Sequence, residues 1–290
     1  MVKIIINPYS ANGLAVWPAT KKRIDDCGVE YDFAIAGEKR SGDLARQARE
    51  EGVERVFVVG GDGTINEVIN GLGLKGIVLG IIPAGCGNDF AKMLGIKSVE
   101  DGISSMLGED RKSVDVGFAN NRYFVNNLGI GVNADAVRIY NRLRKITGRG
   151  GYIVPGLLAL LRFRAFGVEV ESRDLRFSGE VLGISAGNGS SQGGVFCFTP
   201  GSRIDDGLLD VCIIKKMGRI KRVFSVRKAV KGRHIFSKEA EIFRTDFFSI
   251  HSNTRFCVHL DGELGEQPLN KLEVKVLSRQ LQFCVPRKPS

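Results

Sequence analysis

The sequence predicts two joined architectures: an α/β nucleotide domain on a parallel sheet, followed by an antiparallel β-sandwich domain. Three observations carry this. Short apolar runs alternate with helical stretches up to about Arg111, the spacing of βαβ units. Loops rich in glycine or asparagine follow three of these strands, at the carboxyl ends where parallel sheets bind ligands. Beyond Arg111, strand follows strand with few helices between. The change of pattern places a boundary near Gly117, giving domains 1–117 and 118–290, and the tail could return to the first domain.

Lys3–Ile6 reads as a buried strand, Asn7–Gly13 as a loop and Leu14–Cys27 as a helix. Tyr31–Ile35 is a strand, Gly42–Glu51 a helix and Val53–Val59 a strand. That strand stops at Gly60-Gly61-Asp62-Gly63, where glycines allow a sharp turn and close approach to a ligand. Thr64 is expected as the N-cap of the next helix, with Glu67 completing a capping box and Val68, Ile69 and Leu72 forming the apolar face. A strand, a glycine turn and a helix start make an anion site. Asp62 in its midst would repel a phosphate unless a cation lay between, so it implies a divalent metal. Ile77–Ile82 is the next strand and breaks at a second glycine loop, Pro83–Phe90, which sets Asp89 at a helix start. Asp115 ends a strand and could face the same crevice; three carboxylates at a phosphate site would be a magnesium arrangement.

In the second half, strands are expected at Ser113–Val116, Tyr123–Ile130, Val168–Val170, Arg176–Ile184, Leu208–Lys215, Phe247–His251, Thr254–Leu260, Lys271–Leu277 and Leu281–Val285. A basic helical stretch, Ala134–Leu161, breaks near Gly148–Gly151, and Arg287–Ser290 is a loose tail. Asp205–Asp210 reads as a tight turn, and Asp261-Gly262-Glu263 as a hairpin turn between Phe256–Leu260 and Lys271–Leu277.

Hydrophobic content of 43% and charged content of 26% fit a soluble globular protein. Six scattered cysteines without C-x-x-C argue for reduced thiols rather than a disulfide framework or a zinc site. The N-terminus opens directly on a strand, without a signal peptide, and the longest apolar stretch, Tyr152–Leu161, falls short of the roughly 20 residues of a membrane span. The expected location is therefore cytoplasmic. The net charge of +10 is concentrated: Arg138–Arg164 holds seven basic residues and Lys215–Arg233 nine, with no acidic residue in either. In the second stretch Val223, Phe224, Val226 and Val230 interleave with Arg219, Lys221, Arg222, Arg227, Lys228 and Lys231. That pattern suits an anionic membrane surface, and equally a solvated helix covering the sandwich. No nucleic-acid motif accompanies the charge, so no nucleic-acid partner is expected. Gly71–Gly76 fits G-x-G-x-x-G but follows a helix, and Gly183–Gly187 fits G-x-S-x-G but leads into a loop; both are decoys. No P-loop motif occurs, and the three histidines lack metal-ligand spacing.

Asn7-Pro8 with Ser10 and Gly13, Gly60–Glu67 (GGDGTINE), Pro83–Ala91 (PAGCGNDFA), Asp205–Val211 (DDGLLDV) and Asp261–Glu263 (DGE) occur in this order over nearly the whole chain. Together they resemble the diacylglycerol kinase catalytic-domain family, closest to its single-chain bacterial lipid kinases. GGDGT alone is shared with NAD kinases and phosphofructokinases. The resemblance implies ATP bound by Asn7, Gly60, Gly61, Asp62, Gly63, Thr64, Asn66, Glu67 and the Cys86 loop. It implies a water-linked magnesium network on Asp62, Asp89 and Asp115, and Glu263 as the general base toward a lipid hydroxyl, with Asp62 sharing the catalytic work. It implies a structural magnesium held by the Asp206 side chain and the Arg203 and Leu208 carbonyls. Cys86 stands where threonine is usual, and Glu38 where threonine is common near the nucleotide; a thiol is a weak hydrogen bonder. The implied function is an ATP- and magnesium-dependent lipid kinase at the cytosolic face of the inner membrane. The alternatives are NAD kinase-like phosphorylation of a soluble acceptor and a non-catalytic membrane-binding homologue. The acceptor lipid and homodimer formation stay open.

Overall fold

In the computed structural model, which describes residues 2–74, 76–147 and 153–287, the chain divides into two units, Met1–Val116 with Arg279–Ser290, and Gly117–Ser278. The break expected near Gly148–Gly151 and all but the first residue of the loose tail lie outside the described residues.

The first unit runs β1 Val2–Ile6, α1 Gly13–Asp26, β2 Tyr31–Ile35, α2 Ser41–Glu50, β3 Arg55–Gly60, α3 Asp62–Leu72, β4 Val78–Pro83, α4 Asp89–Met93 and α5 Val99–Leu107. The strands lie in the order β2-β1-β3-β4, all parallel. Every residue of β1 and β4 is buried, as both-face coverage of a parallel sheet requires. Ile4, Ile6, Trp17, Ile24, Phe57 and Val59 form part of its core. The chain end comes back to this unit, where Gln282 and Phe283 pair in parallel with Val78 and Leu79.

Across the division runs β5 Arg111–Ala119, which turns at Asn120 and Asn121, both at positive φ, into β6 Arg122–Phe124. The second unit continues with β7 Asn127–Gly131, α6 Val132–Thr147, α7 Ile153–Arg162, β8 Phe166–Ser172, β9 Arg176–Gly187, β10 Leu209–Lys215, α8 Arg219–Val230, a 3-10 turn Arg233–Phe236, β11 Ala240–Thr245, β12 Phe247–Phe256, β13 Val258–Leu260, β14 Glu263–Leu264 and β15 Leu269–Cys284. Its pairings are antiparallel: β14-β13-β7-β9-β8-β12-β15, with β10 joining β9 to β11. Along β8, buried and exposed residues alternate, the period of a strand with one face on a core. Phe124, Ile130, Val168, Ile184, Phe248 and Val274 belong to that core.

Several elements differ from the sequence reading. Lys271–Leu277 and Leu281–Val285 form one strand, β15, which continues through Arg279 at φ +50. The Arg279 N–H at this irregularity is taken by Asp115 Oδ1 at 2.8 Å, so the polar residues 278–280 do not end the strand. β11, polar and half-exposed, carried too little hydrophobic signal to be read as a strand. The basic segment around Phe224 forms the helix α8, as one of the two sequence readings of it expects.

Candidate functional site

Three loops meet at the carboxyl ends of β1, β3 and β4. Asn7 donates from Nδ2 to Thr64 Oγ1 at 2.9 Å, while its Oδ1 accepts the Tyr9 N–H. The Asn12 N–H donates to the Ala84 carbonyl at 2.8 Å. A Cβ on Gly61 would lie 2.8 Å from Gly85 Cα, and one on Gly85 2.5 Å from Gly61 Cα, so these two loops touch backbone to backbone and exclude any side chain. Asn88, at φ +48, clamps the second loop: its Oδ1 accepts the Gly85 N–H at 2.8 Å and its Nδ2 donates to the Gly85 carbonyl.

The helix after GGDG starts earlier than the expected Thr64 cap. Gly61, in extended conformation, is the N-cap without a side-chain bond, and Asp62 is already helical. Thr64 is thus inside the first turn, where its buried hydroxyl serves Asn7. Glu67 closes no capping box; it pairs with Arg40 at 2.7 Å. Asn66 is fully buried and accepts from Asn70 Nδ2. Gly60 packs against Thr64, a Cβ there lying 2.6 Å from the threonine's own. Gly63 follows Asp62 in the first turn of α3. Cys86 and Glu38 are exposed.

Asp62 accepts the N–H groups of Asp89 at 3.1 Å and Phe90 at 2.9 Å, the first two residues of α4. Its carboxylate therefore caps a helix from another element, a role that local sequence does not announce. Asp89 and Asp115 are both buried. Among the described residues no three His, Cys, Asp or Glu side chains gather as a direct metal site. Magnesium, however, keeps most of its waters and uses one or two carboxylates beside substrate phosphates. Asp62 and Asp89, joined through the Asp89 N–H at the glycine loops, offer the hard oxygen donors such an ion takes.

In the second unit, Leu260 pairs with Glu263 across Asp261 (φ +50) and Gly262 (φ +87), two positive φ values that mark a two-residue type I′ hairpin. The hairpin partner is β14, not Lys271–Leu277, whose residues 271–275 pair with β12 instead. The Asp261 carboxylate accepts three buried backbone N–H groups, from Val125, Asn126 and Asn127, at 2.9, 2.9 and 2.8 Å. That anchor fixes where Glu263 stands. Two residues before Asp261, His259 is fully buried with its Nε2 2.9 Å from the Gln192 amide, and burial pushes its pKa down to about 3. Gly129 leaves room for the ring: a Cβ there would lie 2.3 Å from His259 Nε2.

At the DDGLLD turn, Asp206 Oδ1 accepts the Leu208 N–H at 3.2 Å and Oδ2 is bound by the Arg244 guanidinium. Arg203 Nε lies 3.5 Å from Asp205 Oδ1. The only side-chain anion expected to hold a structural magnesium is thus already paired with a cation, and this set does not fit the ion.

Arg222 is not a solvent-facing cation. It is 7% exposed and donates to the carbonyls of Met217, Leu160 and Phe163, the latter two at the end of α7. Lys221 pairs with Glu239. The exposed face of α8 and its flanks carries Arg219, Arg227, Lys228, Lys231 and Arg233 together with Ile220, Phe224 and Phe236, the last three at 79%, 69% and 85% exposure. Beneath α8 is an apolar cavity bordered by Ala136, Leu160, Phe196, Phe198, Met217 and Phe224. Among the described residues no helix is long and apolar enough to cross a membrane.

Residues 1–119 match the family profile described as the diacylglycerol kinase catalytic domain, and residues 126–285 that of the YegS C-terminal NAD kinase beta sandwich-like domain. The diacylglycerol kinase of Staphylococcus saprophyticus subsp. saprophyticus is 30% identical over 94% of this chain and 92% of its own length. That of Bacillus subtilis (strain 168) is 29% identical over 91% and 89%. The crystal structure of a diacylglycerol kinase from Bacillus anthracis str. Sterne superposes with a TM-score of 0.74 at 24% identity, covering 98% of this chain and 96% of that one, and shows a shared fold.

Proposed function

The chain belongs to the diacylglycerol kinase catalytic-domain family, and on that premise we propose that it is a lipid kinase that moves the γ-phosphoryl group of ATP onto a lipid hydroxyl. The observation that carries the reading is the three-loop junction of the first unit. There the Gly61 and Gly85 backbones touch, a contact that the absence of side chains allows, and it brings the two glycine loops together beside the start of α3. Asn7, Gly60–Thr64 and the Cys86 loop would cradle the nucleotide, through backbone N–H groups and the start of α3. Asn66, buried, and Glu67, tied to Arg40, would hold the shape of α3 behind them.

A magnesium ion arriving with the nucleotide would neutralise phosphate charge, held through water by Asp62, Asp89 and Asp115. Glu263, on a hairpin pinned by Asp261, would accept the proton from the lipid hydroxyl as that oxygen attacks phosphorus. Diacylglycerol is the acceptor named for the relatives and the first to test. The apolar cavity under α8 suits an alkyl chain, and the cations and bare apolar side chains of α8 suit an anionic membrane. The enzyme would then work peripherally, on the cytosolic face of the inner membrane.

Transfer of labelled γ-phosphate to diacylglycerol, a sphingoid base, ceramide and phosphatidylglycerol in anionic vesicles, with magnesium, tests the reading. Parent protein should label at least one lipid, and Glu263→Gln should lower the rate at least a hundred-fold while ATP affinity stays within three-fold. Labelling of a soluble acceptor without vesicles would overturn it in favour of NAD kinase-like chemistry. Vesicle binding without any turnover would leave a membrane-binding homologue.

A further inference from the structure

We propose that Arg244 permanently takes the place of a structural magnesium ion at the Asp206 turn, so that this chain stiffens its second unit with its own cation. The register of the sheet builds this arrangement. Arg244 on β11 stands directly opposite Asp210 on β10, and antiparallel partners project to the same face. From there Arg244 Nε is 3.4 Å from Asp210 Oδ1, while an NH group of the same guanidinium binds Asp206 Oδ2. One cation thus joins the turn to the first strand after it. The other Asp206 oxygen accepts the Leu208 N–H, an Asx-type turn, with Gly207 at φ +76 completing the bend.

Two consequences follow from chemistry. Magnesium demands near-octahedral oxygen ligation at about 2.0–2.1 Å, and a carboxylate already bonded to a guanidinium and to the Leu208 N–H has part of its charge and lone pairs engaged and would hold the ion beside a like charge. A guanidinium, in turn, is charged at every working pH and leaves with no chelator. The turn is therefore insensitive to free magnesium, and the protein's demand for the metal is confined to the phosphate loops, whatever the acceptor.

Thermal unfolding of the nucleotide-free full chain, in EDTA and in excess magnesium, tests this with Asp206→Asn, Arg244→Met and the double variant. Parent and Asp206→Asn should respond to magnesium within about 1 °C of each other. Arg244→Met should melt lower in EDTA and gain a magnesium-dependent rise of about 5–10 °C at a 100-fold excess over its dissociation constant, absent from the double variant. A parent response abolished by Asp206→Asn, or no added response in Arg244→Met, would overturn the proposal. Should Arg244→Met fail to fold, Mn2+ titration of the parent followed by electron paramagnetic resonance decides: the same number of bound ions in Asp206→Asn supports the inference, and one fewer refutes it.

Discussion

Lowering the pH from 7 to 5 should cost this protein about 2 kcal/mol of stability through His259 alone. The ring is fully buried and its pKa sits at about 3 in the folded chain against 6.5 when exposed. The unfolded chain therefore binds a proton across this window and the folded chain does not. Stability rises with pH wherever the unfolded state holds more protons, so it is complete above pH 6.5 and is lost as pH falls toward 3. Integrating over two pH units with a reference of 6.5 gives about 2 kcal/mol, a large share of the roughly 5–15 kcal/mol typical of domains. His234, whose pKa burial also lowers, adds to the loss with the same sign. Urea unfolding at pH 7, 6 and 5 measures it, with His259→Gln as the non-titrating comparison. The variant should lose about 2 kcal/mol less than the parent between pH 7 and 5. Identical pH dependence in both would refute the reasoning, since the comparison cancels every titrating group that the two proteins share.

Two further outcomes follow from the second unit. Asp261→Ala strips the acceptor from three buried N–H groups and should cost about 4 kcal/mol, read by urea unfolding, whereas Asp261→Asn keeps Oδ1, which takes the Asn126 and Asn127 N–H groups, and should cost about 1–2 kcal/mol; equal losses would contradict the anchoring role. Ile220→Asp with Phe236→Asp removes two bare apolar side chains beside the α8 cations and should weaken sedimentation with anionic vesicles at least ten-fold without moving the melting temperature; unchanged vesicle binding would rule out this face as the docking surface.

The parallel sheet was legible because its strands are buried on both faces and read as unbroken apolar runs, such as Ile4–Ile6 and Val56–Val59. The glycine loops were legible because Gly61 and Gly85 have no substitute where two backbones touch. Local patterns misled where a distant partner decides. Thr64 and Glu67 spell a capping box, yet Asn7 and Arg40 claim their side chains. The capping box that forms is Ser98 with Asp101, at the start of α5. Arg222 carries a surface residue's charge, yet closes the end of α7. Asp62 reads as a metal ligand on local grounds, and its hold on the start of α4, a contact made 27 residues away, leaves no local trace. Arg244 left no local trace either, since its meaning depends on the β10–β11 register.

The central claim is that nucleotide phosphates sit where the three loops of the first unit meet, and the exposed Cys86 in that junction reports on it directly. Alkylation of Cys86 by a small maleimide, followed by peptide mass spectrometry, should slow at least ten-fold in saturating ATP and magnesium. Cys27, exposed at the far end of α1 from the loops, is the internal control and should keep its rate. Protection of Cys86 alone, retained in Glu263→Gln, is the predicted result. ATP binding that leaves the Cys86 rate unchanged would contradict the account.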